Sequence, residues 1–480
     1  MIIRRLAHLF GPGFSRTIIY MLQSTEYQTA PYARWFWRVD DFTKVMYRRT
    51  LVTTKASKLL LLALRVGILT QLVSGIIFAA LALENRSLMD GLIAFVLITL
   101  APIIWAHIIV FPLIVGRWLI VKPSQTRKIK NSAKIFERHS GVRIAIAGSY
   151  GKTTMKEMLL TVLSEGKKVA ATEANKNVPI SHAEFAHKLS GDEEVLIIEY
   201  GEGAPGDVAR FAKVTKPTMG IITGLAPAHL DKYKTLHKAG EDIFSLAQYL
   251  GSKNIFVNAE SEAVKPFLKH SFSLYSSHEA ASWKISSSKV SIEGLSFSMS
   301  RGGKKINVKA AILGHHQIGP IALACALAYN LGLNITQIEA GTAKIAPFEH
   351  RMQPYRLGAA WVIDDSYNGN IDGMEAGLKL LNELPAKRKI YVTPGLVDQG
   401  PENQKVHHKL GALIARSGVD EVVLIKNSVT GFIVTGLGKK SFKGKLKIED
   451  DPLAFYSNLD QFVAAGDLVL MQNDWTDNYN

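Results

Sequence analysis

The sequence predicts an α/β protein in three parts: an N-terminal transmembrane helical hairpin within residues 1–135, a central parallel-sheet domain with a phosphate loop over 136–345, and a C-terminal Rossmann-like α/β domain over 346–480. Three observations predict it. Residues 59–83 and 91–121 are long apolar stretches. Residues 143–154, RIAIAGSYGKTT, pass from an apolar run through a Gly-rich turn into a helix start. From about residue 140 onward, short β-rich runs ending in Gly alternate with helical patterns, the signature of a parallel sheet covered by helices.

The 480-residue chain carries a net charge of +16. Residues 1–135 hold eighteen Lys/Arg against five Asp/Glu, a surplus of 13, so the remainder is almost balanced. A basic excess packed beside apolar spans suits anionic lipid and not a nucleic-acid groove, so no nucleic-acid partner is expected. RWFWR at 34–38 interleaves cations and aromatic rings as membrane-interface segments do; a flexible basic tail is the alternative. Each apolar stretch exceeds the roughly 20 residues that cross a bilayer as a helix. Arg48, Arg49, Lys55 and Lys58 precede the pair, and Lys122, Arg127, Lys128 and Lys130 follow it. That charge bias predicts a hairpin in the cytoplasmic membrane with the later domains on the cytoplasmic side. The single cysteine, Cys325, excludes an internal disulfide and a thiolate metal cluster, and its apolar run IALACALA marks it as core.

The strand, turn and helix at 143–154 have the parts of a phosphate site. Backbone N–H groups of Gly148, Ser149, Tyr150 and Gly151 point at an anion, and the helix N-terminus favours negative charge. Lys152 reaches the outer phosphates, and a hydroxyl of Thr153 or Thr154 can ligate Mg²⁺. VLIIEYGEG (195–203) and MGIITGL (219–225) read as further strands of the same sheet, with ligands at their carboxyl ends. Residues 271–312 are Ser-rich with alternating apolar positions and a Gly302-Gly303 turn, which predicts antiparallel strands before a helix near 320–331. AWVIDDSYNGN (360–370), KIYVTPG (389–395), EVVLIKN (421–427) and DLVLMQN (467–473) alternate with helical stretches and form a second α/β unit, separated from the first near 346–356.

Taken together and in order, GSYGKTT, EYGEGAPGD (199–207), TGLAPAHLD (223–231), DDSYNGN (364–370) and AGDLVLMQN (465–473) resemble the motifs of the Mur ligase family, the ATP-dependent amino-acid and peptide ligases of peptidoglycan precursor synthesis. DDSYNGN and TPGLVDQG (393–400) are most similar to the branch that adds D-alanyl-D-alanine to a UDP-muramoyl tripeptide. The resemblance implies ATP and Mg²⁺ as cofactors. Its implied partners are a muramoyl-peptide or related carboxylate and an amino-acid or dipeptide amine. It puts Lys152 on the transferred phosphate, Thr153 and Glu199 on Mg²⁺, and His229 on a second metal or the acyl-phosphate. Arg351 matches an interdomain arginine that holds ATP phosphates, and Asp365, Tyr367 and Asn368 match a nucleotide-contacting loop.

Three features depart from the family pattern. The apolar hairpin stands where the family carries its UDP-sugar-binding domain. Gly240 falls where many members carry a carbamylated lysine, so Glu241 or Asp242 is expected to supply the missing carboxylate. Gln317 replaces an adenine-contacting asparagine and presents an amide to the base in its stead. An ATP-binding scaffold that keeps this fold without ligation is the alternative to a ligase. A membrane-bound kinase or simple ATPase fits the loop but leaves the later motifs unexplained.

Overall fold

The computed structural model describes residues 8–25, 27–39, 41–43, 45, 51–173, 177–227, 230–251, 254–367, 369–396, 399 and 402–473. They divide into two compact units at Arg127 and Lys128.

The first unit is helical: α1 (Phe14–Ser24), α2 (Thr29–Arg38), α3 (Lys55–Glu84) and α4 (Leu88–Ile108). Thr54 and Ser57 start α3 with a reciprocal capping box, and Ser87 caps α4 through Asp90 N–H. α3 and α4 pack antiparallel, and Gly67 and Gly75 lie so close to Trp105 and Ile98 that a Cβ would overlap them. Gln71 Nε2 donates to the Leu97 carbonyl at 3.1 Å, which satisfies a polar group inside an apolar pair. The RWFWR segment is helical, not a loose tail, and it turns one aromatic edge inward. Tyr32 and Phe36 join Phe14 and Phe42 in a core, and Tyr32 donates to the Ala106 carbonyl at 2.9 Å, while Trp37 stays exposed. The stretch predicted as one apolar span, 91–121, is interrupted after Ile108. Pro112 lacks the N–H that would bond back to residue 108, and a short helix (Val110–Gly116) and a π turn (Arg117–Val121) follow. α3 and the helical run from Leu88 are long and apolar enough to cross a membrane by length and composition, a test that core helices of soluble proteins also pass.

The second unit carries two sheets. Strands β1 (Val142–Ala147), β2 (Val169–Ala171), β3 (Val195–Glu199), β4 (Met219–Ile222), β5 (Ile255–Asn258), β6 (Ser273–Tyr275), β7 (Glu279–Ala280), β8 (Trp283–Ser291), β9 (Gly294–Arg301) and β10 (Lys304–Ala310) form one sheet in the order β10-β9-β8-β7-β6-β5-β4-β1-β3-β2. The pairs from β2 to β6 are parallel and those from β6 to β10 antiparallel, so the Ser-rich section extends the phosphate-loop sheet. Gly302 and Gly303, with φ of 55° and 77°, make the turn between β9 and β10 that the sequence predicts. β1 alternates its faces: Ile144 and Ile146 pack with Met155 and Leu159, and Ala145 and Ala147 pack with Leu196 and Ile198 on the other side. Helices α5 (Lys152–Leu163) and α6 (Ile318–Asn330) cover the first face, and α7 (Asp207–Thr215) and α8 (Leu236–Leu250) the second. Cys325 is fully buried within α6, as expected of a core residue.

β11 (Gln353–Leu357), β12 (Ala360–Asp365), β13 (Arg388–Thr393), β14 (Glu421–Ile425), β15 (Lys445–Glu449) and β16 (Asp467–Gln472) form the other sheet in the order β11-β12-β16-β13-β14-β15. All neighbours are parallel except β11 with β12. Asn473, just past β16, ties three strand ends together. It receives the Gly369 N–H at 3.0 Å, donates its amide to the Gly395 carbonyl, and donates its own N–H to the Asp365 carbonyl at 3.0 Å.

Candidate active site

β1 stops at Ala147 because Gly148 (φ 144°) and Gly151 (φ 73°) adopt backbone angles that L side chains rarely take. Gly148 also lies against Thr223 Oγ1, where a Cβ would not fit. Thr223, one residue past β4, donates its hydroxyl to the Tyr150 carbonyl, and Ser149 N–H donates to the Gly224 carbonyl at 2.9 Å. The loop is therefore fixed to the neighbouring strand. Gly151 is the N-cap of α5 and brings no capping side chain, so the first-turn N–H groups keep the anion-binding character of a helix start. Burial raises the Tyr150 phenol above its usual range, which keeps it neutral beside that anion site.

Lys152, Thr153 and Thr154 open α5, and each has a partner from another element. Lys152 Nζ donates to the Gly148 carbonyl at 2.5 Å and to Glu202 Oε2 at 2.7 Å. Thr153 Oγ1 donates to Glu199 Oε1 at 3.0 Å, which brings the two expected magnesium ligands together at the end of β3. Arg351 Nη1 donates to Thr154 Oγ1 at 3.4 Å, and its guanidinium lies over the Tyr367 ring, 4.6 Å from the centroid. Arg351 sits between His350 and Met352, whose φ of 59° and 45° are uncommon for residues with a side chain. Asp365 accepts from Gln472 Nε2 at 2.8 Å and from Met352 N–H at 3.1 Å, and burial pushes its carboxyl up to about 6. Gln317 closes a short 3₁₀ turn before α6, its amide 2.9 Å from His316 Nε2. His229 and Asn368 lie outside the described residues.

The residues fit a Mg²⁺–phosphate site. Glu199 is buried, and its Oε2 accepts no hydrogen bond, although Lys156 Nζ lies 3.4 Å away. A hard carboxylate oxygen in that state, beside a threonine hydroxyl and a phosphate loop, suits Mg²⁺, which takes one or two carboxylates plus phosphate oxygens and water. No group of three His, Cys, Asp or Glu converges among the described residues.

The expected replacement carboxylate is not Glu241. Its side chain is exposed on the outer face of α8, 3.6 Å from His237, because Ala239, Ile243, Leu246 and Ala247 set the buried face of that helix. Asp242 is buried, but its oxygens take the Gly206 N–H and the Tyr233 hydroxyl, both at 2.8 Å. A side chain at 240 would overlap Phe267, so a lysine has no room there. Sequence reasoning missed Glu202, Lys156, Thr223 and His182. Only Lys156, one helical turn after Lys152, had a spacing that could have shown it.

Residues 146–328 match the Mur ligase middle domain, and residues 350–472 match the Mur ligase glutamate ligase domain. The UDP-N-acetylmuramoyl-tripeptide–D-alanyl-D-alanine ligase of Escherichia coli is 26% identical over 333 residues, which cover 67% of this chain and 73% of that one. The enzyme of the same name from Synechocystis is 28% identical over 297 residues, 59% of this chain and 62% of its own. Among solved structures, MurF ligase from Thermotoga maritima in complex with ADP superposes with a TM-score of 0.63 at 19% identity, covering 73% of this chain and 80% of that one. MurF from Acinetobacter baumannii gives 0.63 at 19%, over 73% and 77%.

These findings overturn the expected location at the cytoplasmic membrane. The relatives are named for a nucleotide-linked muramoyl tripeptide and a dipeptide, the family match begins at residue 146, and the two apolar helices meet only a test of length and composition. The anionic-lipid partner, expected from the basic excess beside those helices, finds no support among the relatives.

Proposed function

The chain belongs to the Mur ligase family, and from that membership we propose that it is an ATP-dependent ligase of peptidoglycan precursor synthesis, joining a dipeptide such as D-alanyl-D-alanine to a muramoyl peptide. The reaction runs from substrate carboxylate and ATP to an acyl-phosphate and ADP. The incoming amine then displaces phosphate and leaves an amide. Such chemistry is mostly positioning and charge neutralisation. Thr153 and Glu199 would hold Mg²⁺, which when bound would neutralise charge on the phosphate oxygens. Lys152 and Arg351 neutralise the phosphoryl group, and the loop N–H groups orient it, apart from that of Ser149, which the Gly224 carbonyl takes instead of the anion expected from the sequence. Asp365, Tyr367 and Gln317 line the nucleotide's path.

The observation that carries this reading is the meeting of two halves of the chain: Arg351, beyond the first sheet, reaches Thr154 on the phosphate-loop helix. The alternative of a non-ligating scaffold finds no support, since the relatives above are named as ligases. The test is purified chain with ATP, Mg²⁺, a UDP-muramoyl tripeptide and D-alanyl-D-alanine, read by mass spectrometry. ADP release that needs both acceptor and amine, with the amide product, is expected. ATP turnover indifferent to both would overturn the reading.

A further inference from the structure

Lys152 and Glu202 are an ion pair inside the phosphate loop, with side chains only 11% and 7% exposed. Lys152, Lys156 and Arg351 supply the cations near this loop; Glu199 and Glu202 supply the carboxylates. Glu199 is divided between Thr153 and Lys156. Glu202 is committed to the ammonium that a nucleotide needs for its outer phosphates. A carboxylate and a phosphate oxygen meeting at one poorly hydrated ammonium repel each other, and a divalent cation between them reverses the sign. The surrounding wall is negative as well. The Tyr233 phenol is pushed up by burial and then by Asp242, Asp207 and Glu202. The buried Glu199 Oε2 takes no hydrogen bond and has only the Lys156 ammonium, 3.4 Å away, to offset its charge, so a second carboxylate near the loop also favours a cation. The chain around Glu202 permits a swing: Gly201 and Gly203 flank it, while Gly201 N–H is pinned to the Asn177 carbonyl at 2.9 Å and Ala204 N–H to Asp207 Oδ2 at 2.9 Å.

We propose that Glu202 makes nucleotide entry conditional on a divalent cation. It holds Lys152 until a cation-bound triphosphate arrives, then turns from the ammonium to the cation side, so the site selects Mg²⁺-bound over free ATP. This inference rests on the reading of the loop as an ATP site.

The test is equilibrium binding of a fluorescent ATP analogue to the full chain, with Mg²⁺ or with EDTA, for wild type, Glu202→Gln, Glu202→Ala and Glu202→Asp. Wild type is expected to bind at least about tenfold tighter with Mg²⁺ than with EDTA, the scale of one uncompensated like-charge contact. Glu202→Gln and Glu202→Ala should bind the cation-free analogue about tenfold tighter than wild type, which narrows their ratio by about the same factor, while Glu202→Asp keeps the wild-type ratio. A wild-type ratio in both neutral variants overturns the inference and leaves the nucleotide reading standing. Wild type that binds no analogue even with Mg²⁺ overturns the nucleotide reading itself.

Discussion

His182 Nε2 lies 2.8 Å from the carbonyl oxygen of Glu199, the residue whose carboxylate meets Thr153. A ring nitrogen facing a carbonyl donates, so the proton is on Nε2. Burial holds the imidazole near about 4, and it is neutral throughout the physiological range. The ring also packs on Tyr200 and Phe211. His182→Phe keeps that packing and strands a buried carbonyl, which costs roughly 1–3 kcal/mol. Chemical denaturation should show the loss, and the pH–rate profile of the wild type should carry no inflection from this histidine.

The Lys152–Glu202 pair predicts a double-mutant result. Lys152→Met leaves a nearly buried carboxylate without its ammonium, a loss of roughly 3 kcal/mol of stability. Adding Glu202→Gln should recover most of it, since the second change removes the orphaned charge. Denaturation midpoints of the four proteins measure the coupling. Activity should stay lost in both variants that lack the lysine.

Arg351 is expected to act through its planar fork and its stacking on Tyr367, neither of which lysine reproduces. Arg351→Lys should lower kcat roughly a hundredfold, the scale of one lost transition-state donor. Tyr367→Leu should lower it only about threefold, since a half-exposed cation–π contact is worth under about 1 kcal/mol. Steady-state rates at saturating ATP separate the two. Equal losses would mean that the stacking on the ring, and not the fork, matters.

Asp365 gives a pH signature. Its carboxyl rises from 3.8 to about 6 through burial, so the folded chain holds the proton more tightly than the unfolded chain. Its contribution to stability is full below about pH 4 and is lost as pH rises through about 6. The shift corresponds to at most roughly 3 kcal/mol. Asp365→Asn should therefore gain on wild type in Tm between pH 4 and pH 7, by an amount that grows with pH. A constant difference across that range would refute the assignment.

Glu241→Gln should leave amide formation and stability within experimental scatter, because the side chain stands in solvent. A severe loss of rate would return Glu241 to the metal site.

Much of this was readable in advance, and the reasons differ by element. β1, β3, β4, β12, β13, β14 and β16 are buried on both faces, so each is a continuous apolar run cut by Gly, Pro or Asn. β11 and β15 escaped notice because they are edges. Lys445 and Lys447 on β15 face water, and no apolar run advertises the strand. β2 is three residues long and half-buried. Of the candidate site, the placing of Lys152, Thr153 and Glu199 at one end of the sheet was legible because it follows from position on a strand–loop–helix. Glu202 was not, since an acidic residue in a Gly-rich loop has no periodicity, and only the fold brings it to a lysine fifty positions earlier. The error at Glu241 was avoidable: the apolar positions of α8 already put it on the outer face.

β16 is the latest made of the six strands in its sheet and yet lies between β12 and β13. During synthesis the ribosome therefore releases β11 to β15 with a gap at their centre, two raw strand edges waiting for residues 467–472. This sheet cannot close until residues 467–472 have emerged. A nonsense codon shortly before Asp467 should yield aggregates and not a slightly weakened enzyme.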